Sequence, residues 1–277
     1  GEVSGTIYGG TYSSPKSAIY IGNDNTNGDG GINARACLNI HGGNFTGGNA
    51  ALVKAENTGV TFISGGTFTD GSGQSGIENY VADGYTVKNN SDGSVSVVEQ
   101  VLSVSNETTG AKYATIQQAV DAAVEGDVIS IAANSETYDE AVTLTKAVTL
   151  KGPGDGSAVL TGGITLAGPF GDNTQTVIKG LKFEKSGIYA IAWGNEPNLN
   201  NLTIENNMFD NISAWSAAIN FNLANTSPVR NLTIADNTIT NVTAENGSGI
   251  WVSAVAGMTR ITGNRIEGTK LNSIQIT

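Results

Sequence analysis

Four carboxylates in the second half of the chain are the first candidates for chemistry, because a repeating strand pattern would place them on outward-facing positions. They are Glu184, Glu205, Asp210 and Asp236, and Arg230, Arg260 and Arg265 lie near them in sequence. Carboxylates clustered on one face can hold calcium. Glu205 and Asp236 occupy adjacent repeat positions, which predicts a separation of roughly 5–8 Å at the usual strand spacing. The interpretation we favour is scattered solvated charges, so the catalytic residues stay unassigned.

A column of aromatic and amide side chains is the second candidate site. If Ile188, Ile219 and Ile250 point inward, the residues that follow them point outward, as does Gln275 in the next repeat. Two tryptophans in adjoining loops could line the same groove. The predicted ligand-binding residues are Tyr189, Trp193, Trp215, Asn220, Trp251 and Gln275. Exposed rings flanked by amides form a surface on which a sugar can stack. The alternative, which we favour, is that these rings cover the edges of the core.

An Asn- and Asp-rich loop is the third candidate site. The segment 23–30 reads Asn-Asp-Asn-Thr-Asn-Gly-Asp-Gly and resembles the start of a calcium-binding loop. Its predicted metal ligands are Asp24, Asn25, Asn27 and Asp29. The twelfth position is Ala34 instead of a glutamate, which argues against an EF-hand. Calcium is the one cofactor that this pattern suggests, and a plain connecting loop is the favoured alternative.

The composition excludes several classes of partner. The net charge is −11, from 14 basic and 25 acidic residues. Residues 1–100 hold 4 basic and 9 acidic side chains, and residues 101–277 hold the other 10 and 16, so neither half is basic. This predicts no binding of nucleic acid or of anionic membranes. No run is long and apolar enough to cross a bilayer, and the lone Cys37 excludes an internal disulfide and a Cys-based zinc site.

Internal repeats indicate how the chain positions these residues. In the first hundred residues, a short strand, a Gly-Gly pair and an aromatic residue recur at Thr6–Tyr12, Asn39–Phe45 and Phe62–Phe68. In the last hundred residues, a different strand followed by an asparagine recurs at Asn201–Phe209, Asn231–Ile239 and Arg260–Ile266. Strands this short, recurring every 20–33 residues, bury a continuous core only if the repeats stack as coils.

The repeats therefore predict an all-β fold, a right-handed parallel β-helix. Alternation of side chains along a strand places Ile204 inward and its neighbours outward. An asparagine at one fixed corner, as at Asn207, Asn237 and Asn264, can stack into an amide ladder. A two-sheet sandwich is the alternative fold, but it predicts variable turns instead of an asparagine at one phase.

Two segments interrupt the repeats and suggest a domain boundary near residue 100. Residues 85–87 and 94–98 read as a β-hairpin that closes the first unit. Residues 114–123 read as one short amphipathic helix, capped by Thr115, that covers the end of a second core. The predicted domains are a repeat β-solenoid over 1–100 and a parallel β-helix over 101–277. The second domain stops within a coil, so we expect either further parts of a longer protein beyond it or a partner that packs on this end.

Residues 101–277 resemble the pectate-lyase-like right-handed β-helix superfamily. Residues 113–123 and 126–129 are similar to its N-terminal capping helix and first strand, and 138–142 and 148–152 continue the match. The resemblance implies the fold and no particular activity, because the superfamily contains lyases, polygalacturonases, pectinesterases and non-enzymes. The polygalacturonase motifs Asn-Thr-Asp, Asp-Asp and Gly-His-Gly and the pectinesterase segments Gln-Asp-Thr and Asp-Phe-Ile are absent.

Residues 1–100 resemble a repeat block found in large surface proteins of gut bacteria. Residues 63–68 spell its motif, Ile-Ser-Gly-Gly-Thr-Phe, and residues 81–87 look like the usual end of such a block. This resemblance implies an extracellular or wall-attached protein of the adhesin-like type.

Three functions fit these observations. The favoured one is a secreted or cell-surface module that binds a glycan or a host-surface component without catalysis. The first alternative is a polysaccharide lyase or glycoside hydrolase acting on plant or host glycans, which requires converging carboxylates and a base on one exposed sheet. The second alternative is a structural stalk, which predicts no exposed aromatic cluster.

Overall fold

Short strands from successive repeats pair in parallel in the computed structural model, and they stack as a β-solenoid of about 8 turns. The structure describes residues 3–22, 36–54, 61–134, 136–170, 173–191, 199–214, 216–222, 229–253 and 255–277. The predicted all-β parallel solenoid is confirmed, and the sandwich alternative is wrong. Two compact units are present, unit 1 over Gly1–Val101 and unit 2 over Leu102–Thr277, and each has its own hydrophobic core.

Unit 1 contains three sheets. Sheet A consists of β1 (Val3–Ile7), β4 (Ala36–Ile40) and β7 (Thr61–Ile63). Sheet B consists, in spatial order, of β2 (Thr11–Ser14), β5 (Asn44–Gly47), β8 (Gly66–Asp70), β10 (Val95–Glu99) and β9 (Tyr85–Asn89). Sheet C consists of β3 (Ser17–Ile21) and β6 (Ala50–Lys54). The predicted hairpin is confirmed, because β9 and β10 pair antiparallel and β10 closes sheet B against β8. A 3₁₀ helix covers Ile77–Tyr80.

The Gly-Gly-x-aromatic motif builds the corner between sheets A and B. Its second glycine has a positive φ in each copy, and at Gly43 φ is 122°. An added Cβ at Gly43 would lie 2.9 Å from the Phe45 ring, so the glycine leaves the space that the ring fills. Phe45 in turn stacks between Tyr12 and Phe68, with ring centroids 5.1 and 5.0 Å away. The motif therefore forms an aromatic column through the corner.

Unit 2 also contains three sheets. Sheet D consists of β12 (Lys112–Tyr113), β11 (Val104–Asn106), β13 (Val128–Ile131), β15 (Thr149–Lys151), β18 (Thr176–Lys179), β21 (Asn200–Glu205), β24 (Val229–Ala235) and β27 (Val255–Thr262). Sheet E consists of β16 (Val159–Leu160), β19 (Lys182–Lys185), β22 (Met208–Ile212), β25 (Thr238–Val242) and β28 (Arg265–Glu267). Sheet F consists of β14 (Val142–Leu144), β17 (Ile164–Leu166), β20 (Ile188–Ile191), β23 (Ala217–Asn222), β26 (Ser248–Val252) and β29 (Ile274–Ile276).

The first end of this core is covered by the helix α1 (Ile116–Ala122). The predicted cap is confirmed, because the Thr115 hydroxyl accepts a hydrogen bond from the Gln118 backbone N–H at 3.1 Å. The apolar face predicted for the helix is also confirmed, since Ile116, Ala119, Val120 and Ala123 belong to the buried core. The helix contacts strands of sheets D and F, so it closes the coil as a lid of apolar side chains.

A buried asparagine ladder joins the last coils. Asn207 Nδ2 donates to Asn237 Oδ1 at 3.1 Å, and Asn237 Nδ2 donates to Asn264 Oδ1 at 2.9 Å. Each amide also donates to a strand carbonyl of the preceding coil, as Asn237 does to Ile204 at 2.9 Å. The predicted ladder is therefore confirmed, and it satisfies the backbone of the corner between sheets D and E.

Candidate functional site

The predicted aromatic and amide column lies in register on sheet F. Ile188, Ile219 and Ile250 pair in one row and are fully buried. Tyr189, Asn220, Trp251 and Gln275 form the next row, one residue along each strand. The sequence pattern thus predicted their shared direction correctly.

Two members of this column are buried, which contradicts the binding-site interpretation and, for Tyr189, agrees with the favoured alternative that the rings cover the edges of the core. Tyr189 is 3% exposed and Asn220 is 4% exposed. The Tyr189 hydroxyl accepts a hydrogen bond from the Gly187 N–H at 2.5 Å and donates to the Ala214 carbonyl at 3.4 Å. Burial also raises the pKa of this hydroxyl above its ordinary value. Tyr189 therefore stabilises the coil corners at Gly187 and Ala214, and its ring is not accessible to a ligand.

The remaining members provide little open surface. Trp251 is half-buried, and its Nε1 donates to the Thr277 hydroxyl at 3.3 Å. Gln275 is also half-buried and accepts from Asn272 Nδ2 at 3.1 Å. Trp193 and Trp215 lie outside the described residues. The row therefore lies on the outer face of sheet F. Of its four described residues, only Trp251 and Gln275 are partly exposed to solvent.

The predicted calcium loop, with Asp24, Asn25, Asn27 and Asp29, lies outside the described residues. Within the described part of the chain, no group of three or more His, Cys, Asp or Glu side chains is arranged to hold a metal ion.

The outward carboxylates of unit 2 are distributed over different surfaces. Glu184 pairs with Lys182 at 2.6 Å on sheet E, and Glu205 lies 3.9 Å from Lys179 on sheet D. Glu205 is in register with Ala235, so Asp236 lies one residue further along the neighbouring coil, in agreement with the predicted adjacent positions. Asp236 occupies the following corner in a left-handed conformation, with φ of 54°.

Asp210 is the carboxylate most engaged by its neighbours. Its Oδ1 accepts from Asn241 Nδ2 at 2.9 Å and from the Thr240 hydroxyl at 2.8 Å. These hydrogen bonds, with that from Asn241 the largest contribution, hold the pKa of Asp210 below its ordinary value. Such a carboxylate is a fixed acceptor within sheet E and is poorly suited to donate a proton.

A groove on the outer face of sheet D is a further candidate site in unit 2. It has a volume of about 350 Å³. The described residues that line it are uncharged and supply amides, hydroxyls and one thioether: Asn173, Gln175, Asn201, Thr203, Asn231, Thr233 and Met258. Side-chain amides and hydroxyls each offer donors and acceptors, so the groove can bind a ligand that carries many hydroxyl groups.

The groove follows from a kink that repeats in successive strands. Asn201 and Asn231 have left-handed backbones, with φ of 51° and 52°, and Gly257 takes the same conformation in the next coil. Asparagine and glycine tolerate this conformation better than other residues. Thr203 and Thr233 stand in register two residues further along, so an asparagine row and a threonine row lie side by side.

Hydrogen bonds hold the floor of the groove. Gln175 Nε2 donates to the Thr203 hydroxyl at 2.9 Å, and Asn231 Nδ2 donates to Asn201 Oδ1 at 3.2 Å. Met258, at 66% exposure, supplies an apolar wall. Links of this kind preorganise a binding surface, because fewer rotamers remain to be ordered when a ligand arrives.

Sequence reasoning missed this groove, although a signal for it was present. The repeats at Asn201 and Asn231 both read Asn-Leu-Thr-Ile, and the leading asparagine marks the kink. The contribution of Met258 has no such signal, because a register shift in β24 and β27 brings it to the groove.

Comparisons of this chain with protein-family models, with curated proteins and with solved structures found no match. Across the described ranges, the helical content includes nothing with the length and apolar character of a bilayer-spanning helix.

Proposed function

We propose that this protein is a non-catalytic extracellular or cell-surface module that binds carbohydrate through the groove on sheet D. The observation that carries the proposal is the lining of that groove, whose described residues are amides, threonine hydroxyls and one thioether, with Arg260 the next residue of the threonine row. Its volume of about 350 Å³ lies within the roughly 300–1,000 Å³ usual for small-ligand sites.

A sugar is the ligand class that this lining fits best. Each sugar hydroxyl both donates and accepts, as do the amides of Gln175 and Asn231. The asparagine and threonine pairs recur in two coils about 4.8 Å apart, which suits a ligand that presents hydroxyl groups at a repeated interval. The net charge of −11 disfavours polyanions unless a cation such as calcium bridges them.

The sequence resemblances support the same proposal and suggest a family for each unit. We assign unit 2 to the pectate-lyase-like right-handed β-helices and unit 1 to the adhesin-like repeat blocks of bacterial surface proteins. In that setting the partner is a glycan or a host-surface component, and the chain is one part of a longer surface protein. Nucleic acid is not among the partners, because neither half of the chain is basic.

A glycan array tests this proposal. The purified chain is applied to neutral and acidic oligosaccharides, once with calcium and once with a chelator. We expect reproducible binding that the double variant Gln175→Ala/Thr233→Ala weakens about tenfold or more, because it removes a lining amide and a lining hydroxyl. Thr165→Ala is the matched control, since Thr165 is exposed on sheet F of the same unit.

Two results would contradict the proposal. One is the absence of binding to any glycan under both conditions. The other is binding that the double variant retains in full, which would locate the site elsewhere on the chain.

A further inference from the structure

The outer face of sheet A in unit 1 carries aromatic side chains that the core does not use. Tyr8 is 79% exposed and Phe62 is 52% exposed. His41, the single histidine of the chain, is also exposed and lies between them in the stack of coils. Exposed aromatic residues that cluster on one face indicate a binding surface, whereas isolated ones do not.

The strand register places these residues side by side. Backbone hydrogen bonds link residue 41 to Ile7 and residue 64 to Ile40, both at 2.8 Å, so Tyr8, His41 and Ser64 form one row. Phe62 is in register with Asn39, two residues before His41, and belongs to the neighbouring row of the same face. A strand spacing of about 4.8 Å and a rise of about 3.3 Å per residue put the Cα atoms of Phe62 and His41 roughly 8 Å apart.

The rings are held in a defined arrangement. Tyr8 and His41 stack with centroids 5.3 Å apart and an interplanar angle of 20°. His41 Nδ1 and the Ser64 hydroxyl are hydrogen-bonded at 2.7 Å, which fixes the orientation of the imidazole. Among the described residues, nothing hydrogen-bonds His41 Nε2, so this atom is available to a ligand. Tyr8 likewise keeps the ring face opposite His41 free of any other described ring.

We infer that this face, defined by Tyr8, His41, Phe62 and Ser64, is a second carbohydrate site, which takes neutral sugar rings. Ring faces stack on the C–H side of a sugar, and the tyrosine hydroxyl and His41 Nε2 hydrogen-bond its hydroxyl groups. Neutral sugars are favoured because no Lys, Arg, Asp or Glu stands in either row. The inference shares its ligand class with the proposed function and rests on it to that extent, but its residues lie in the other unit.

His41 is the single histidine of the chain, so its imidazole resonances report on this site alone. The full chain is titrated with neutral gluco-, xylo-, manno- and galacto-oligosaccharides, and the imidazole resonances of His41 are followed by NMR. We expect them to shift on binding. We also expect Tyr8→Ala/Phe62→Ala to weaken binding about tenfold or more. Tyr20→Ala is the matched control, because Tyr20 is a 70% exposed tyrosine on sheet C of the same unit.

The outcomes separate this inference from the proposed function. Binding that leaves the His41 resonances unmoved, survives Tyr8→Ala/Phe62→Ala and is lost in Gln175→Ala/Thr233→Ala would overturn the unit 1 site and keep the groove. Binding that shifts His41 and is unaffected by the groove variant would keep the unit 1 site and overturn the groove. No binding to any of these sugars overturns the unit 1 site.

Discussion

At the residue scale, the buried amide ladder shows how one residue type can join successive coils. Asn237 is 1% exposed. Its Oδ1 accepts from the backbone N–H of Asn207 at 3.1 Å, and its Nδ2 donates to the Ile204 carbonyl at 2.9 Å. The side chain therefore satisfies backbone groups of a different coil, which a hydrophobic residue of similar size cannot do.

Removing the central amide should be costly. We expect Asn237→Ala to lower the free energy of unfolding by about 2–4 kcal/mol, because it strands a buried donor and a buried acceptor. Denaturant titration followed by circular dichroism measures the change. Asn272→Ala, at an exposed position, is the control and should cost little. Equal losses for the two variants would show that the ladder does not contribute to stability.

Asp127 links stability to pH at the same scale. Its carboxylate is buried and accepts from the Val124 backbone N–H at 3.0 Å and from Asn106 Nδ2 at 2.8 Å. These hydrogen bonds, the first being the stronger influence, lower the pKa of Asp127. A carboxyl whose pKa is lowered on folding stabilises the protein above its unfolded pKa of about 3.9. That contribution is lost as the pH falls through the folded pKa.

We therefore expect Asp127→Asn to flatten the acid limb of the stability curve. The free energy of unfolding, measured from roughly pH 5 to pH 2, should fall less steeply in this variant than in the wild type. Asp139→Asn, at an exposed carboxyl, should follow the wild-type curve. A slope for Asp127→Asn that equals the wild-type slope would assign the acid sensitivity to other groups.

At the element scale, the capping helix is clamped at both ends by the coil beneath it. Glu140 accepts from the backbone N–H groups of Ile116 and Gln117 at 2.6 and 2.9 Å. Lys146 Nζ donates to the carbonyls of Asp121 and Ala123 at 2.7 and 2.8 Å. A negative group at the first turn and a positive group at the last turn complement the helix dipole. A helix this short is marginal alone, so these contacts hold it in place.

The lysine clamp can be tested by one substitution. Lys146→Met keeps most of the aliphatic stem and removes the donor, so we expect a loss of about 1.5–3 kcal/mol in the free energy of unfolding. Amide hydrogen exchange should rise first in α1. Lys151→Met is the control, since the Lys151 amine makes a largely exposed pair with Glu107 and should matter less. If both variants behave alike, the clamp is not what secures the helix.

At the scale of the whole molecule, stability is a property of stacked neighbours. In unit 2 the inward isoleucines Ile178, Ile204, Ile234 and Ile261 pair in one row across sheet D. The first three are fully buried, whereas Ile261 in the last described coil is only half-buried. In a solenoid each coil is stabilised mainly by the two beside it. The same residue type should therefore contribute different amounts to the free energy of unfolding at different positions in the row.

The position of an isoleucine in this row predicts how much stability its substitution by alanine removes. We expect Ile234→Ala to lower the free energy of unfolding by about 3–5 kcal/mol and Ile261→Ala by clearly less, because only the first leaves a cavity with packing on both sides. Hydrogen exchange should show faster opening of β21 to β27 in Ile234→Ala, and of β27 to β29 alone in Ile261→Ala. Similar costs and similar exchange patterns would contradict the nearest-neighbour account.

Periodicity in the sequence predicts the solenoid, the inward isoleucine rows and the asparagine ladder, and turn and capping residues predict the hairpin and the capped helix. These features depend on local backbone geometry, in which side-chain direction alternates along a strand and turns need particular residues. The same periodicity aligned Tyr189, Asn220, Trp251 and Gln275 in one row.

Which of these outward residues meet solvent depends on the tertiary structure. Tyr189 points outward and is nevertheless buried, because its hydroxyl bonds to the corners at Gly187 and Ala214. The Tyr8–His41 stack was likewise hidden in the sequence, and the groove on sheet D was marked there only by its repeated asparagine. Exposure depends on what packs against a side chain from residues 20 or more positions away, whereas direction depends on its own strand.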